Sequence, residues 1–414
     1  MSYTDSNGGS FFLVGQVGPS CKTGAERTSE ARGLALCDPD LAYIGRRAPG
    51  TCRTGAEAGV KRTWERTRIS VLANIKDAAL RGLNGTGLTD AVARSRWRAE
   101  RLLVLCYHGV SLRDEHLWNP GLHVTLELFE ARMRMLADGG YNVLPFEEAT
   151  VRLRSGSLPK KAVSITFDDG YADFALRAYP VLQRFGFHAT LYLTTYYVLF
   201  NRPIFNLIVP YMLWLCRDRH CAANSRLGFE HEADLTSGQG RAEVWEAVSS
   251  LASSRALSGA AKDDLAAEVS AHLGLDYEAI RASRILSLLR PDEVSQISGS
   301  GVSIELHTHR HRTPLDVDLF KREVLENRRH IEEMTGRHPA HFCYPGGINR
   351  PAMLPVLDQS GIRTATTHFA GLGSSSTNPL LMPRFLDAQG VPETTYLSWL
   401  AGTGTLLSRL KPAG

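Results

Sequence analysis

Val163-Ser164-Ile165-Thr166-Phe167 runs without a break into Asp168-Asp169-Gly170. Val, Ile, Thr and Phe suit a pleated backbone, and a short apolar run bounded by a turn signal reads as a buried strand. Two carboxylates side by side at the end of a strand repel each other unless a cation shares the site. A helix N-cap region, where Asp is common, is the plainer reading of the same pair. Downstream, residues 174–185 have helical character closed by Gly186, and Ala189-Thr190-Leu191-Tyr192-Leu193 is strand-like again. Upstream, Leu102-Leu103-Val104-Leu105-Cys106-Tyr107 is a second buried strand, ending at His108-Gly109. Residues 125–137 follow as a helix, with Thr125 as N-cap and Gly139-Gly140 as the stop. Further on come a strand at 302–306, a helix at 319–335 ended by Gly336, a strand at 341–344, a short helix at 351–359 and a strand at 362–366. Strands alternating with helices imply parallel βαβ units. The fold class is therefore α/β, as a (β/α) barrel or an open doubly wound sheet.

In such folds ligands gather where the strands end. The strand at 302–306 ends in His307-Thr308-His309-Arg310-His311, three histidines in five residues of a chain with 14 in all. His307 and His311 are four apart, so a helical turn or a tight loop can aim both imidazoles at one ion, leaving His309 spare. A surface His-rich loop is the alternative. One Asp and two His leave open positions on Zn²⁺ or a similar divalent transition metal. Such an ion lowers the pKa of water toward ~7 and polarises a carbonyl, and a second carboxylate can take the water's proton. Those are the requirements for metal-assisted hydrolysis of an amide or ester.

Thr166-Phe167-Asp168-Asp169-Gly170 and His307-Thr308-His309-Arg310-His311 resemble the first two signature motifs of the polysaccharide deacetylases, TFDDG and H-(S/T)-x-x-H. This is the NodB-homology group, or family-4 carbohydrate esterases. Leu105-Cys106-Tyr107-His108-Gly109-Val110 and Gly186-Phe187-His188-Ala189-Thr190-Leu191-Tyr192-Leu193 resemble two strands of the same family. The resemblance spans about 102–195 and 291–389. It implies a distorted (β/α) barrel that removes acetyl groups from a glycan, with Asp168 as general base and Asp169, His307 and His311 as metal ligands. Many members carry Arg-Pro-Pro-Tyr-Gly at the third strand end. Here Phe342-Cys343-Tyr344-Pro345-Gly346-Gly347 stands there, resembling the Phe-Ala-Tyr-Pro-Tyr-Gly form of the poly-N-acetylglucosamine deacetylases. Tyr344, Pro345 and Gly346 are the implied substrate- and oxyanion-binding stretch, with a main-chain N–H at Gly346 as donor or the glycines as a turn only. The Arg that orients the base is missing at Cys343, and Arg384 is the candidate to replace it. No His stands near Leu380-Leu381-Met382-Pro383-Arg384-Phe385, where the family offers its general acid. His368 is the nearest later candidate, and His108 fits either a pocket or a structural role. These departures raise a second reading, a catalytically weakened glycan-binding module. Amide hydrolysis on a non-sugar substrate is a third, by analogy of fold alone.

The remainder of the 414 residues bounds these readings. A net charge of +4 is too small to argue for nucleic acid as a partner. Residues 1–60 are rich in Gly, Ser, Thr and Arg and read as a poorly ordered extension. Residues 61–101 form a basic lead-in with helical spacing over 64–83, either a solvated face or a surface for an anionic membrane. The deacetylase-like domain then spans 102–414, interrupted by a helix-leaning insertion at about 196–290. Residues 196–216 are apolar, but Asn201, Arg202, Pro203, Asn206 and Pro210 interrupt them. A buried or interfacial hairpin fits better than a span of ~20 residues. Trp214, Trp245, Tyr196, Tyr197 and Tyr211 read as the insertion's own core rather than as stacking platforms for sugars. Seven cysteines without zinc-ribbon spacing argue against a disulfide framework, and no secretory signal is evident. The expected location is cytoplasmic or membrane-peripheral, through 61–101 or 196–216.

Overall fold

A computed structural model describes residues 87–408. The readings of 1–60 as an extension and of a helix over 64–83 lie outside the described residues. Eight strands form one parallel sheet: β1 (Leu103–Tyr107), β2 (Asn142–Val143), β3 (Ala162–Asp169), β4 (Ala189–Leu193), β5 (Val302–Leu306), β6 (His341–Cys343), β7 (Thr364–Thr366) and β8 (Phe385–Leu386). Their order is β7-β6-β5-β4-β3-β1-β8, with β2 on the side of β3. The two ends of that path meet. Thr366 bridges Met382 in parallel, the Met382 N–H donates to Ala365 O at 2.8 Å, and the Thr367 N–H donates to Met382 O at 2.9 Å. Three residues later β8 pairs with β1, Leu105 against Phe385 and Cys106 against Leu386. The sheet thus curls into the distorted (β/α) barrel, helices covering its outside.

The ten strands and helices anticipated between 102 and 193 and between 302 and 366 keep their ends within two residues, because caps and apolar periods are local features. The Thr125 hydroxyl accepts from the Leu128 N–H at 3.1 Å and opens the helix Leu126–Asp138. Asp316 caps Val317–Thr335, which stops at left-handed Gly336. The helix anticipated over 174–185 differs in its first turn, which is π-helical over Phe174–Ala178 and becomes α-helical over Tyr179–Phe185. Pro180 has no N–H to donate and its ring crowds the carbonyl four residues back, so the wider turn accommodates it. Two-residue β8 and β2 carry too little pattern to be anticipated, whereas the helix Phe146–Ser155 was missed although Phe146, Ala149, Thr150 and Leu153 recur at helical spacing before Gly156.

The insertion folds as helices Tyr196–Phe200, Phe205–Leu215, Gly238–Ser254, Gly259–His272 and Tyr277–Ala282. Phe205, Leu207, Ile208, Val209, Tyr211, Met212 and Leu213 are all buried in the main core, so protein accounts for the apolar composition of 205–213. No described helix is long and apolar enough to cross a membrane. Tyr211 stacks on Trp214 and Phe205 packs against Trp245, which makes these aromatics core. Of the basic lead-in, Arg98 departs from a solvated face. It is fully buried, donating to the carbonyls of Leu400, Arg101 and Ala162. Cys106, Cys216, Cys221 and Cys343 are free thiols.

Candidate active site

Alternation along a strand would send adjacent residues to opposite faces, yet both carboxylates of β3 lie in adjoining buried clusters. Asp168 points into the barrel. At Asp169 the backbone turns left-handed, φ 71, followed by Gly170 at φ 90, and this swings its carboxylate toward the histidine loop. A side chain at position 170 would meet Leu193 Cδ1 at 2.2 Å, so glycine is required by space as well as by φ.

Asp168 is fully buried and gripped on both oxygens. Arg384 Nη1 donates to Oδ1 at 2.6 Å and Nη2 donates to Oδ2 at 2.7 Å. Arg384, itself buried, also donates from Nε to Thr367 O at 3.1 Å and from Nη1 to Thr166 Oγ1 at 3.3 Å. Burial pushes the Asp168 carboxyl up, but the charge and hydrogen bonds of Arg384 outweigh it and hold the group well below the usual carboxylate range. The thiols of Cys343 and Cys106 lie 3.4 and 3.7 Å from Asp168 Oδ2, and Arg384 Nη2 is 3.1 Å from Cys343 Sγ. The small side chain at position 343 leaves room for a guanidinium that arrives from residue 384.

Beside this pair, Asp169 Oδ1 lies 3.2 Å from His307 Nε2 and 3.1 Å from His311 Nε2. Both Asp169 oxygens are buried, and neither makes a hydrogen bond of proper geometry. Burial raises this carboxyl, and the His311 and His307 imidazoles more than offset it. Unsatisfied buried carboxylate oxygens are costly, and two imidazole nitrogens converging on one of them form a donor set that fits a divalent cation. His307 Nδ1 is 2.9 Å from Cys343 O; as donor there it leaves Nε2 free to ligate. The loop is tight rather than helical, with Thr308 at φ 63 and His311 at φ 51. His309 faces away, its Nδ1 2.8 Å from Thr195 Oγ1, and burial lowers its pKa to about 3.

The remaining candidates divide. Gly346 (φ 60) and Gly347 (φ 67) form a tight turn after β6. Pro345 and the Tyr344 ring are buried, and the Tyr344 hydroxyl donates to Leu380 O at 3.0 Å. The Tyr344 side chain is therefore part of the core, leaving only its main chain for substrate. His368 is exposed and packs over Gly347, where a Cβ would come within 2.7 Å of the ring. Its ring lies 6.4 Å from that of His108, whose Nε2 is 3.8 Å from Asp168 Oδ2. Sequence reasoning missed Cys106, and also Glu323 and Asn327 on the helix Val317–Thr335, which bond the histidine loop. A polar residue on an amphipathic helix carries no mark of which way it faces in the assembled fold.

Residues 155–211 and 261–365 match the family model described as Polysaccharide deacetylase. The chain carries a polysaccharide deacetylase domain. The interruption of the match falls within the helical insertion. Over 94 residues the chain is 40% identical to the Bacillus subtilis (strain 168) protein named "Putative polysaccharide deacetylase YxkH", covering 22% of this chain and 32% of that protein. It is 30% identical over 99 residues to the poly-beta-1,6-N-acetyl-D-glucosamine N-deacetylase of Escherichia coli (strain K12), covering 24% of this chain and 14% of that protein. The matched parts thus span a third or less of these relatives. Among solved structures, the Streptococcus pyogenes deacetylase PplD aligns with a TM-score of 0.46 at 18% identity, over 75% of this chain and 99% of that one. IcaB from Ammonifex degensii aligns with a TM-score of 0.46 at 17% identity, over 73% and 97%.

Proposed function

We propose that this polysaccharide deacetylase domain is a metal-dependent hydrolase that removes N-acetyl groups from an aminoglycan or related glycoconjugate. The observation that carries the reading is the buried Arg384 clamp on Asp168 beside the convergent Asp169, His307 and His311. Asp169, His307 and His311 would hold the ion, zinc being the first choice for such a donor set. When bound, a divalent ion supplies Lewis acidity toward water and the acyl oxygen. Asp168, kept ionised and aimed by Arg384, accepts a proton from the attacking water. The water oxygen bonds to the acetamide carbon, and the Gly346 N–H is the candidate donor to the developing oxyanion. The C–N bond then breaks, a proton passes to the amine, and amine and acetate leave; His368, at the rim, is the candidate donor. The N-acetylated substrate class is supported by the Escherichia coli relative's named substrate. The clamp also weakens the case for a module without catalysis, since a guanidinium does reach the base.

Acetate release from N-acetylglucosamine oligomers tests this. The native protein should release acetate, a chelator should stop it, and added divalent metal should restore it. Asp168→Asn should lose turnover by at least about 10²-fold while still binding metal. Full activity in Asp168→Asn on every substrate that the native protein cleaves would remove Asp168 as base. Indifference to chelation would remove the metal.

A further inference from the structure

Helix Val317–Thr335 presents two polar side chains one turn apart, Glu323 and Asn327, both fully buried. They grip the histidine loop at its two ends. Asn327 Oδ1 accepts the His307 N–H at 2.9 Å, and its Nδ2 donates to Leu193 O at 2.9 Å and to Thr195 Oγ1 at 3.1 Å. Glu323 takes the other end. Its Oε2 accepts the Arg310 N–H at 2.8 Å, and its Oε1 accepts from Arg310 Nη1 at 3.1 Å and Arg312 Nε at 2.6 Å. Its main-chain carbonyl accepts the His309 N–H at 3.0 Å. Glu323 thus brackets His311 from both sides along the chain, while the Arg312 N–H donates to Thr308 Oγ1 at 3.0 Å.

The two histidines differ in what orients them. His307 is fixed through its own ring, by Nδ1 against Cys343 O. His311 Nδ1 is buried and makes no hydrogen bond, and its backbone sits at φ 51. A non-glycine residue stays in that region only where its surroundings over-determine it. With no hydrogen bond at Nδ1 to orient the ring, His311 is aimed by its backbone, and its backbone is held by the residues bonded to Glu323. We propose that Glu323 is the positioning residue for His311, holding the Arg310–Arg312 strand of the loop so that Nε2 of His311 points at Asp169. The inference rests on the metal-binding reading of Asp169, His307 and His311.

Zinc titration by calorimetry, with zinc alone and at a temperature where each metal-free variant is folded, tests it. Glu323→Gln should raise the zinc dissociation constant by about tenfold or more, as loss of an outer partner does at other metal sites. Glu326→Gln is the control. Glu326 Oε2 also pairs with Arg310 Nη1, at 2.7 Å; its substitution removes the same charge but no bond to the Arg310 N–H, so zinc affinity should stay at the native value. A merely structural role for Glu323 would lower the melting temperature and leave zinc affinity alone, and that result overturns the proposal. Equal losses in Glu323→Gln and Glu326→Gln overturn it too, since net charge would then explain both. If Glu323→Gln does not fold, Arg312→Gln, at a side chain with an exposed edge, should show the same loss of affinity, and native affinity there overturns the proposal. A native protein that binds no zinc sinks the metal reading itself; native binding with unchanged Glu323→Gln sinks only this inference.

Discussion

At the scale of single residues, Asp168 shows how a buried acid is kept ionised. Burial alone would raise its pKa and protonate it, whereas Arg384 supplies a fixed charge and two hydrogen bonds to the ionised form. A carboxyl depressed in the folded state contributes stability above its unfolded pKa, and that contribution is lost as pH falls through the folded value. Replacing Arg384 by Met removes the main opposition to burial and leaves only His108 and His307 to favour the ionised form. The acidic limb of kcat/KM should then move to higher pH and the maximum should fall by about 10²-fold, both read from a pH–rate profile on N-acetylglucosamine oligomers. An unshifted acidic limb would separate Arg384 from the base. The four residues of the two motifs were legible because each motif is written in five consecutive positions. The partner of Asp168 is not written locally, since Arg384 lies 216 residues away and no local period connects them.

At the scale of elements, most strands and helices outside the insertion were legible because a cap or an apolar run stood at their ends. Thr125, Asp316, Gly186 and Gly336 each act at the end that their chemistry predicts. The short strand β6 depends on something else. Glu305 of the neighbouring β5 is buried, and its Oε2 accepts the N–H groups of Ala340 at 2.9 Å and His341 at 2.7 Å. Burial raises its carboxyl to about 7 despite those bonds. Between the ordinary value of 4.5 and about 7 the folded protein holds a proton that the unfolded chain releases. Stability from this group therefore declines as pH rises through that window and levels off above it. Glu305→Gln cannot ionise, so the difference in urea midpoint between pH 5 and pH 7.5 should shrink in that variant. An unchanged difference would place the pH dependence elsewhere.

At the scale of the molecule, the barrel closes through contacts between the ends of the described chain. Asp387, just beyond β8, accepts from the Tyr107 hydroxyl at 3.0 Å and from Arg132 Nε at 3.1 Å. Arg132 Nη2 donates to Val391 O at 2.7 Å, and its guanidinium lies 4.3 Å from the centre of the Tyr396 ring. One buried network thus joins β1, the helix Leu126–Asp138 and the segment that carries Arg384. Arg132→Met strands a buried carboxylate and should cost about 3–5 kcal/mol, measured as a drop in urea midpoint at constant m value; a loss below about 1 kcal/mol would mean that the pair behaves as an exposed one. By itself the sequence determined the α/β alternation, the strand ends that carry polar clusters, and Asp168, Asp169, His307 and His311 as the proposed site, because periods, caps and motifs are properties of neighbouring residues. Only the tertiary structure decided that the sheet closes at Met382, that residues 205–213 are core, that Arg384 clamps Asp168, and that Glu323 braces the loop of His311. Each of those rests on groups far apart in the chain that meet only after the helices and strands have packed.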